Sequence, residues 1–344
     1  MTKSNVLGID LAKRVIQVCH ISKHGELLTN KAISPNKLKQ LLAKSNSSIV
    51  AMEGSGSSHY WARLAQDYGH DVRMISPKKV KAFLQGHKTD ANDALAIAVA
   101  CTQTGMRFSQ IKKEDQQWLQ TLETSRKYLE KERTALSNHI RAYLYEYGIV
   151  MNRGYKSLRE TMANVLDGQD SRLPDCLKNT LRVLWQRYQL TIEQFKETEK
   201  YKSELVTQLE PCRRLIKLEG VGAVCASMLY ASIGDGKEFK NGRQASAYIG
   251  LTPKQHSSGG KTYLKGIDKQ GGHKELRAAL YQGALSYISR LPMEPRTQKE
   301  AWLTNLVKRV GVKRACIALA NKTVRTAWAL LNTGSNYKSI APAT

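Results

Sequence analysis

Residues 5–10 form a short apolar run that closes on an acid, Asp10, and further runs of the same kind follow. Residues 14–21 and 26–33 read as two more strands, with Lys23-His24-Gly25 as the hairpin turn between them. A fourth strand, 48–53, again closes on an acid, Glu53. A fifth, 72–76, is stopped by Pro77. Helical spacing appears at 34–43 and at about 58–68, the second set off from its preceding strand by Gly54-Ser55-Gly56. The order is three strands in a meander, then helix, strand, helix, strand and helix, which predicts an α/β region over residues 1–110. Asp10 and Glu53 both stand at carboxyl ends of strands, the edge where open α/β sheets bind ligands.

The stretch from His87 to Cys101 closes that region, and after Thr89 it reads as a helix rich in alanine, the best helix former. Asp90 and Asp93 lie three apart and therefore share one helix face. The helix dipole offsets part of their mutual repulsion. Two readings stay open on these residues alone: an N-cap with capping-box geometry, or a pair of carboxylates with a cation between them.

Beyond residue 113 the pattern changes. From Glu114 to about Tyr147 there is neither Gly nor Pro, and Trp118, Leu119, Leu122, Leu129, Leu136 and Ile140 recur at helical spacing. A second long helical stretch runs from about 179 to 209. Residues 148–174, with Gly154, Gly168 and Pro174, read as a looser connection. The two helices predict an antiparallel pair or coiled-coil arm over 111–210, serving self-association or acting as a spacer. Residues 213–234 resemble a helix-hairpin-helix, in which Gly220 and Gly222 turn the chain and present N–H groups to a phosphate. A plain turn between helices is the alternative. Helices at about 274–287, 296–310 and 312–331 predict a mainly α region over 211–334, and 335–344 reads as a loose tail.

Charge adds a partner class. The 344 residues hold 54 Lys and Arg against 29 Asp and Glu, a net charge of +25. Such an excess attracts a polyanion, with nucleic acid ahead of a membrane surface. No apolar run approaches the ~20 residues of a spanning helix, and the N-terminal residues carry no signal-peptide core. From Lys254 onward, 16 Lys and Arg face 4 Asp and Glu, the footprint of a nucleic-acid surface. The six cysteines are scattered without metal-ligand spacing and read as small hydrophobes in a reducing, cytoplasmic compartment.

Three segments together carry a resemblance: Gly8-Ile9-Asp10, Met52-Glu53-Gly54-Ser55-Gly56 and Lys88-Thr89-Asp90-Ala91-Asn92-Asp93-Ala94. This pattern resembles the DEDD transposases of insertion sequences, of the IS110 and IS1111 type. Their N-terminal domain is similar to the RuvC Holliday-junction resolvase and has an RNase H-like fold. The resemblance implies that Asp10, Glu53, Asp90 and Asp93 form one acidic cluster holding Mg²⁺ or Mn²⁺. The chemistry agrees, since four carboxylates cannot all ionise cheaply without a cation and oxygen-only ligands suit these ions. An actin-like phosphate-binding strand is another reading of Gly8-Ile9-Asp10, but no Gly-rich nucleotide loop accompanies it.

Gly250-Leu251-Thr252-Pro253, followed by Ser257-Ser258-Gly259-Gly260-Lys261, resembles the C-terminal domain of the same transposases. In that family the Ser directly before the Gly is the nucleophile, which falls on Ser258 and implies a covalent phosphoserine link to DNA. Gly259 and Gly260 would leave room for a backbone phosphate. Asp268 stands where the family usually has Ser. The candidate nucleic-acid contacts are Lys88, Gly220, Gly222, Lys261, Lys265, Lys269 and Arg277; His256 and His273 are given no role. The resemblance further implies donor and target DNA, a noncoding guide RNA and a homo-oligomer, dimer or tetramer, as partners. A metal-dependent junction nuclease using water, and a non-catalytic nucleic-acid scaffold, are the alternative functions.

Overall fold

The computed structural model describes residues 4–168, 172–267 and 272–341. The chain divides into two compact units, Met1–Glu114 and Asp115–Thr344. Among the described residues no helix is long and apolar enough to cross a membrane.

In the first unit, β1 (Val6–Asp10), β2 (Ile16–Ile21) and β3 (Leu27–Ile33) form the expected meander, followed by α1 (Pro35–Lys44), β4 (Ile49–Glu53), α2 (Ser58–Asp67), β5 (Asp71–Ile75), the single turn α3 (Pro77–Val80) and α4 (Asp90–Cys101). The sheet order is β3-β2-β1-β4-β5, with β1 antiparallel to β2 and parallel to β4. This mixed sheet with flanking helices is the RuvC-like, RNase H-like arrangement.

Alternation along the strands distributes the core. Leu7, Ile9, Val50 and Met52 pack with Leu38 and Leu42 of α1 and with Trp61, Ala62 and Ala65 of α2. The intervening Val6, Ile49 and Ala51 face the other way and pack with Ala94, Ile97 and Ala98 of α4. Burying each large aliphatic side chain contributes roughly 1.5–3 kcal/mol. Gly8 shares the second face, and α4 passes directly over it. A Cβ built there would lie 2.5 Å from the Ala94 carbonyl oxygen and 2.6 Å from Ala98 Cβ. Glycine on the strand and alanine on the helix therefore let two backbones touch.

The second unit opens with α5 (Glu114–Glu146), α6 (Tyr155–Leu166) and α7 (Asp175–Gln208). Helices α5 and α7 run antiparallel: Glu132 pairs with Arg187 at 2.6 Å, while Glu123 nearer the start of α5 pairs with Lys202 nearer the end of α7. Helix α6 lies inside the stretch expected to be loose. Leu158, Met162 and Val165 bury its apolar face against Ile140, Leu144, Leu181 and Trp185.

The remaining elements are α8 (Glu210–Ile216), α9 (Ala223–Ile233), α10 (Gly242–Ile249), the hairpin β6 (Pro253–Ser258) and β7 (Lys261–Ile267), then α11 (Lys274–Ile288), α12 (Gln298–Val310) and α13 (Val312–Thr333). The region is mostly helical, with one small antiparallel sheet. The described residues after α13 form no helix or strand but are tethered. Tyr337 Oη donates to Glu219 Oε1 at 2.6 Å, and the Gln298 amide donates to the Ile340 carbonyl at 3.0 Å.

Gly8→Ala is expected to force α4 off the sheet and to destabilise the first unit by about 1–3 kcal/mol, as overpacking does. Thermal denaturation checks this, and a midpoint equal to that of the parent protein would refute the close-contact account.

Candidate active site

The same alternation that buries the strands aims their terminal acids. Asp10 lies two residues beyond Gly8, and Glu53 two beyond Ala51, so both point to the α4 face. They follow a directly paired step, Ile9 with Met52, on adjacent parallel strands. On α4, Asp90 stands one turn before Ala94, the residue seated over Gly8. The N-terminal turn of α4 therefore lies over the strand ends.

Thr89 caps that turn, its side chain accepting from the Asn92 amide at 3.3 Å. The Asn92 side chain donates to the His87 carbonyl at 2.8 Å. Asn30 of β3 donates to the Ala91 carbonyl at 2.9 Å and is itself held by Gln17 of β2 at 2.7 Å. Capping and an acidic face thus coexist: Thr89 does the capping, which leaves Asp90 and Asp93 to face the strand ends. On the far side of Glu53, Ser57 adopts φ of 68°, the one positive φ outside glycine among the described residues. Such a conformation costs roughly 1–2 kcal/mol and turns the chain sharply after the acid.

The acids feel one another. Burial, followed by the charges of Asp93 and Asp90, raises the Asp10 carboxyl above its ordinary range. Burial, followed by Asp10 and Asp93, does the same to Glu53. Lys88 opposes both shifts, so its ammonium acts here as a counter-charge. Among the described residues no three His, Cys, Asp or Glu side chains converge closely enough to hold a metal ion. The quartet is an electrostatically coupled group, not a finished coordination sphere. Its donor chemistry, all carboxylate oxygen, fits Mg²⁺ or Mn²⁺, and a cation would relieve the field that holds Asp10 and Glu53 up.

In the second unit Ser258 ends β6 and pairs with Lys261 across the two-residue Gly259-Gly260 turn. Both glycines have positive φ, 55° and 75°, as the tight turn of a two-residue hairpin requires. The segment is the tip of a hairpin. Ser257 is engaged, accepting from Gln255 Nε2 at 3.0 Å and lying 3.2 Å from Thr262 Oγ1. Ser258 Oγ has no hydrogen-bond partner among the described residues and is exposed.

Comparison with known proteins bears on both units. Residues 7–149 match a family described as transposase, the DEDD group of IS110 type, and residues 212–300 match the transposase IS116/IS110/IS902 family. The chain is 37% identical to the transposase for insertion sequence element IS1111A of Coxiella burnetii, over 98% of this chain and 92% of that protein. It is 36% identical to the transposase for insertion sequence element IS1328 of Yersinia enterocolitica, over 98% and 99%. A probable family 20 transposase of Pseudomonas aeruginosa is 34% identical, over 96% and 98%. The chain belongs to the IS110/IS1111 family of DEDD transposases.

Other residues of this transposase stand differently from their sequence reading. Arg277 is only 7% exposed, and its guanidinium donates to the Ile249 carbonyl at 2.9 Å. It joins α11 to α10; its charge was legible in the sequence, its direction was not. Gly220 has φ of 72° and presses against Gly283, whose carbonyl oxygen would lie 2.7 Å from an added Cβ. That packing against α11 accounts for the glycine, whereas Gly222, the N-cap of α9, is exposed. Lys88, Lys261 and Lys265 are exposed; Lys269, with Asp268, lies outside the described residues. One feature went unread: a cleft of about 1070 Å³ at the foot of the hairpin, lined by Arg243, Arg314, Lys322 and Arg325 together with Trp302 and Trp328. Its cations come from α10 and α13, where helical spacing of Lys and Arg was the available signal.

The raised carboxyls carry a stability consequence. A folded-state value above the unfolded one means a penalty that appears as pH rises out of the ordinary carboxylate range and is complete above the raised values. Asp93→Asn removes a charge acting on both groups. It is expected to lower the Asp10 and Glu53 carboxyl values in NMR titration and to raise the thermal midpoint at neutral pH. Unmoved titrations would contradict the coupling.

Proposed function

We propose that this transposase cuts and rejoins DNA through a covalent phosphoserine at Ser258, with Asp10, Glu53, Asp90 and Asp93 holding Mg²⁺ or Mn²⁺. The reading rests on the charge coupling of Asp10 with Asp93 and Asp90, and of Glu53 with Asp10 and Asp93, at the strand ends beside α4, in a chain belonging to a transposase family. Family membership and the unpartnered hydroxyl at the hairpin tip favour Ser258 over Ser257. When bound, the cation supplies charge stabilisation for a phosphodiester oxygen. Ser258 attacks phosphorus, the bond to the leaving deoxyribose oxygen breaks, and the phosphoserine link conserves bond energy for rejoining. No ATP is needed for strand exchange.

The reading requires Ser258 and an acidic quartet to meet on one phosphate, within a chain or between subunits. Exposed Tyr128, Val183, Leu190 and Tyr201 on α5 and α7 favour self-association of the long helices into a dimer or tetramer. Target and donor choice is assigned to a noncoding guide RNA transcribed from the element's end. Base pairing suits a protein whose +25 charge favours backbone contact over base readout. The site of action is the cytoplasm, on nucleoid DNA.

The test is trapping. Full-length protein is incubated with the element-end RNA, donor DNA and Mg²⁺, then denatured, and DNA linked to protein is mapped. The adduct is expected on Ser258, lost in Ser258→Ala and reduced at least a hundredfold in Asp90→Asn. Cutting by Ser258→Ala without an adduct would instead establish water attack by a junction-type nuclease. Unchanged behaviour of Asp90→Ala, with binding but no cutting in the parent, would establish a scaffold.

A further inference from the structure

Register in a two-stranded hairpin decides which side chains share a face, and here it decides what stands beside Ser258. Directly opposed residues of an antiparallel pair project to the same face, and successive residues of a strand to opposite faces. Ser258 opposes Lys261, and His256 opposes Tyr263. These four side chains therefore share one face. Ser257 opposes Thr262, and Gln255 opposes Leu264, so they share the other. That second face is closed on itself by the Gln255–Ser257 and Ser257–Thr262 contacts. The Gly259-Gly260 turn holds the register, and a one-residue slip would exchange the faces.

On the Ser258 face, His256 supplies an imidazole, the side chain most often used as a general acid or base. The other titratable groups there are Lys261 and Tyr263, and neither is acidic. Residues two apart on a strand are separated by about 6.6 Å, so a hydroxyl and an imidazole meet directly or through one water. Lys261, exposed and opposite the serine, is placed to meet a non-bridging phosphate oxygen as a point charge.

The geometry points to His256 as the acid–base partner of Ser258 in cutting and rejoining, an inference that rests on Ser258 being the nucleophile. As the bond from Ser258 Oγ to phosphorus forms, the hydroxyl proton passes to an imidazole nitrogen. As the bond from phosphorus to the leaving deoxyribose oxygen breaks, that oxygen takes a proton from the imidazolium. One DNA end is left as a phosphodiester on Ser258 and the other as a free hydroxyl. Rejoining runs in reverse, with His256 accepting the proton of the incoming DNA hydroxyl and returning one to Ser258.

Rates of adduct formation are measured on either side of neutral pH for full-length protein with element-end RNA and donor DNA. His256→Ala is expected to slow adduct formation by about 10²–10⁴-fold, to lose the acid limb of the pH profile and to recover in part with added imidazole. DNA and RNA binding is measured alongside, so that an adduct lost through weakened binding is told apart from a slowed chemical step. An adduct formed by His256→Ala at the parent rate overturns the inference alone. So does a slowed variant that keeps the pH limb and ignores imidazole. A parent protein that cuts without any serine adduct overturns the nucleophile assignment first, and this inference with it.

Discussion

Helix α4 can approach β1 only because Gly8 has no side chain and Ala94 and Ala98 have small ones. That contact sets the height of the helix over the sheet and therefore the position of its acidic first turn. A side chain at residue 8 would lift Asp90 and Asp93 away from Asp10 and Glu53, weakening the mutual charge effects that mark the group. The hydrogen bonds from Asn30 to Ala91 and from Gln17 to Asn30 hold the same turn from the side. Strand alternation, helix spacing and one glycine contact therefore do the positioning, and the charges report its result.

The second unit solves a different problem, joining two helices of more than thirty residues to a globular helical body. Glu123 is buried against Lys202 and Arg126. Burial pushes its carboxyl up, but the hydrogen bonds from Arg126 and Lys202 prevail and hold it below its ordinary value. Removing either partner of such a pair strands the other charge, which destabilises strongly even where the intact pair adds little. At the far end, α6 closes the helical pair with its own small core. The hairpin, in contrast, is exposed from Pro253 to Gly266.

Much of this was legible in the sequence for identifiable reasons. Five strands read as short apolar runs ending in acids or turns, and the long helices lacked Gly and Pro, so both stood out locally. Helix α6 was obscured by flanking Gly154, Gly168 and Pro174, which mark its ends and not its absence. The β6–β7 hairpin was missed because His256, Ser257 and Ser258 offer no apolar alternation; exposed on both faces, it needs none. Arg277 and Gly220 show the commonest limit. A sequence states that a residue is charged or small, but only packing shows that the guanidinium caps Ile249 and that the glycine meets Gly283. The tail after α13 looked loose because Tyr337 finds its partner, Glu219, 118 residues away.

The account depends on the four acids of the first unit acting as one receptor for a divalent cation. Crystals of the full-length protein grown with Mn²⁺ test this most directly through anomalous scattering. The account predicts manganese within ligand distance of Asp10 and of at least two among Glu53, Asp90 and Asp93, and its loss in Asp10→Asn. Manganese bound elsewhere, with the strand ends beside α4 empty at saturating Mn²⁺, would contradict it.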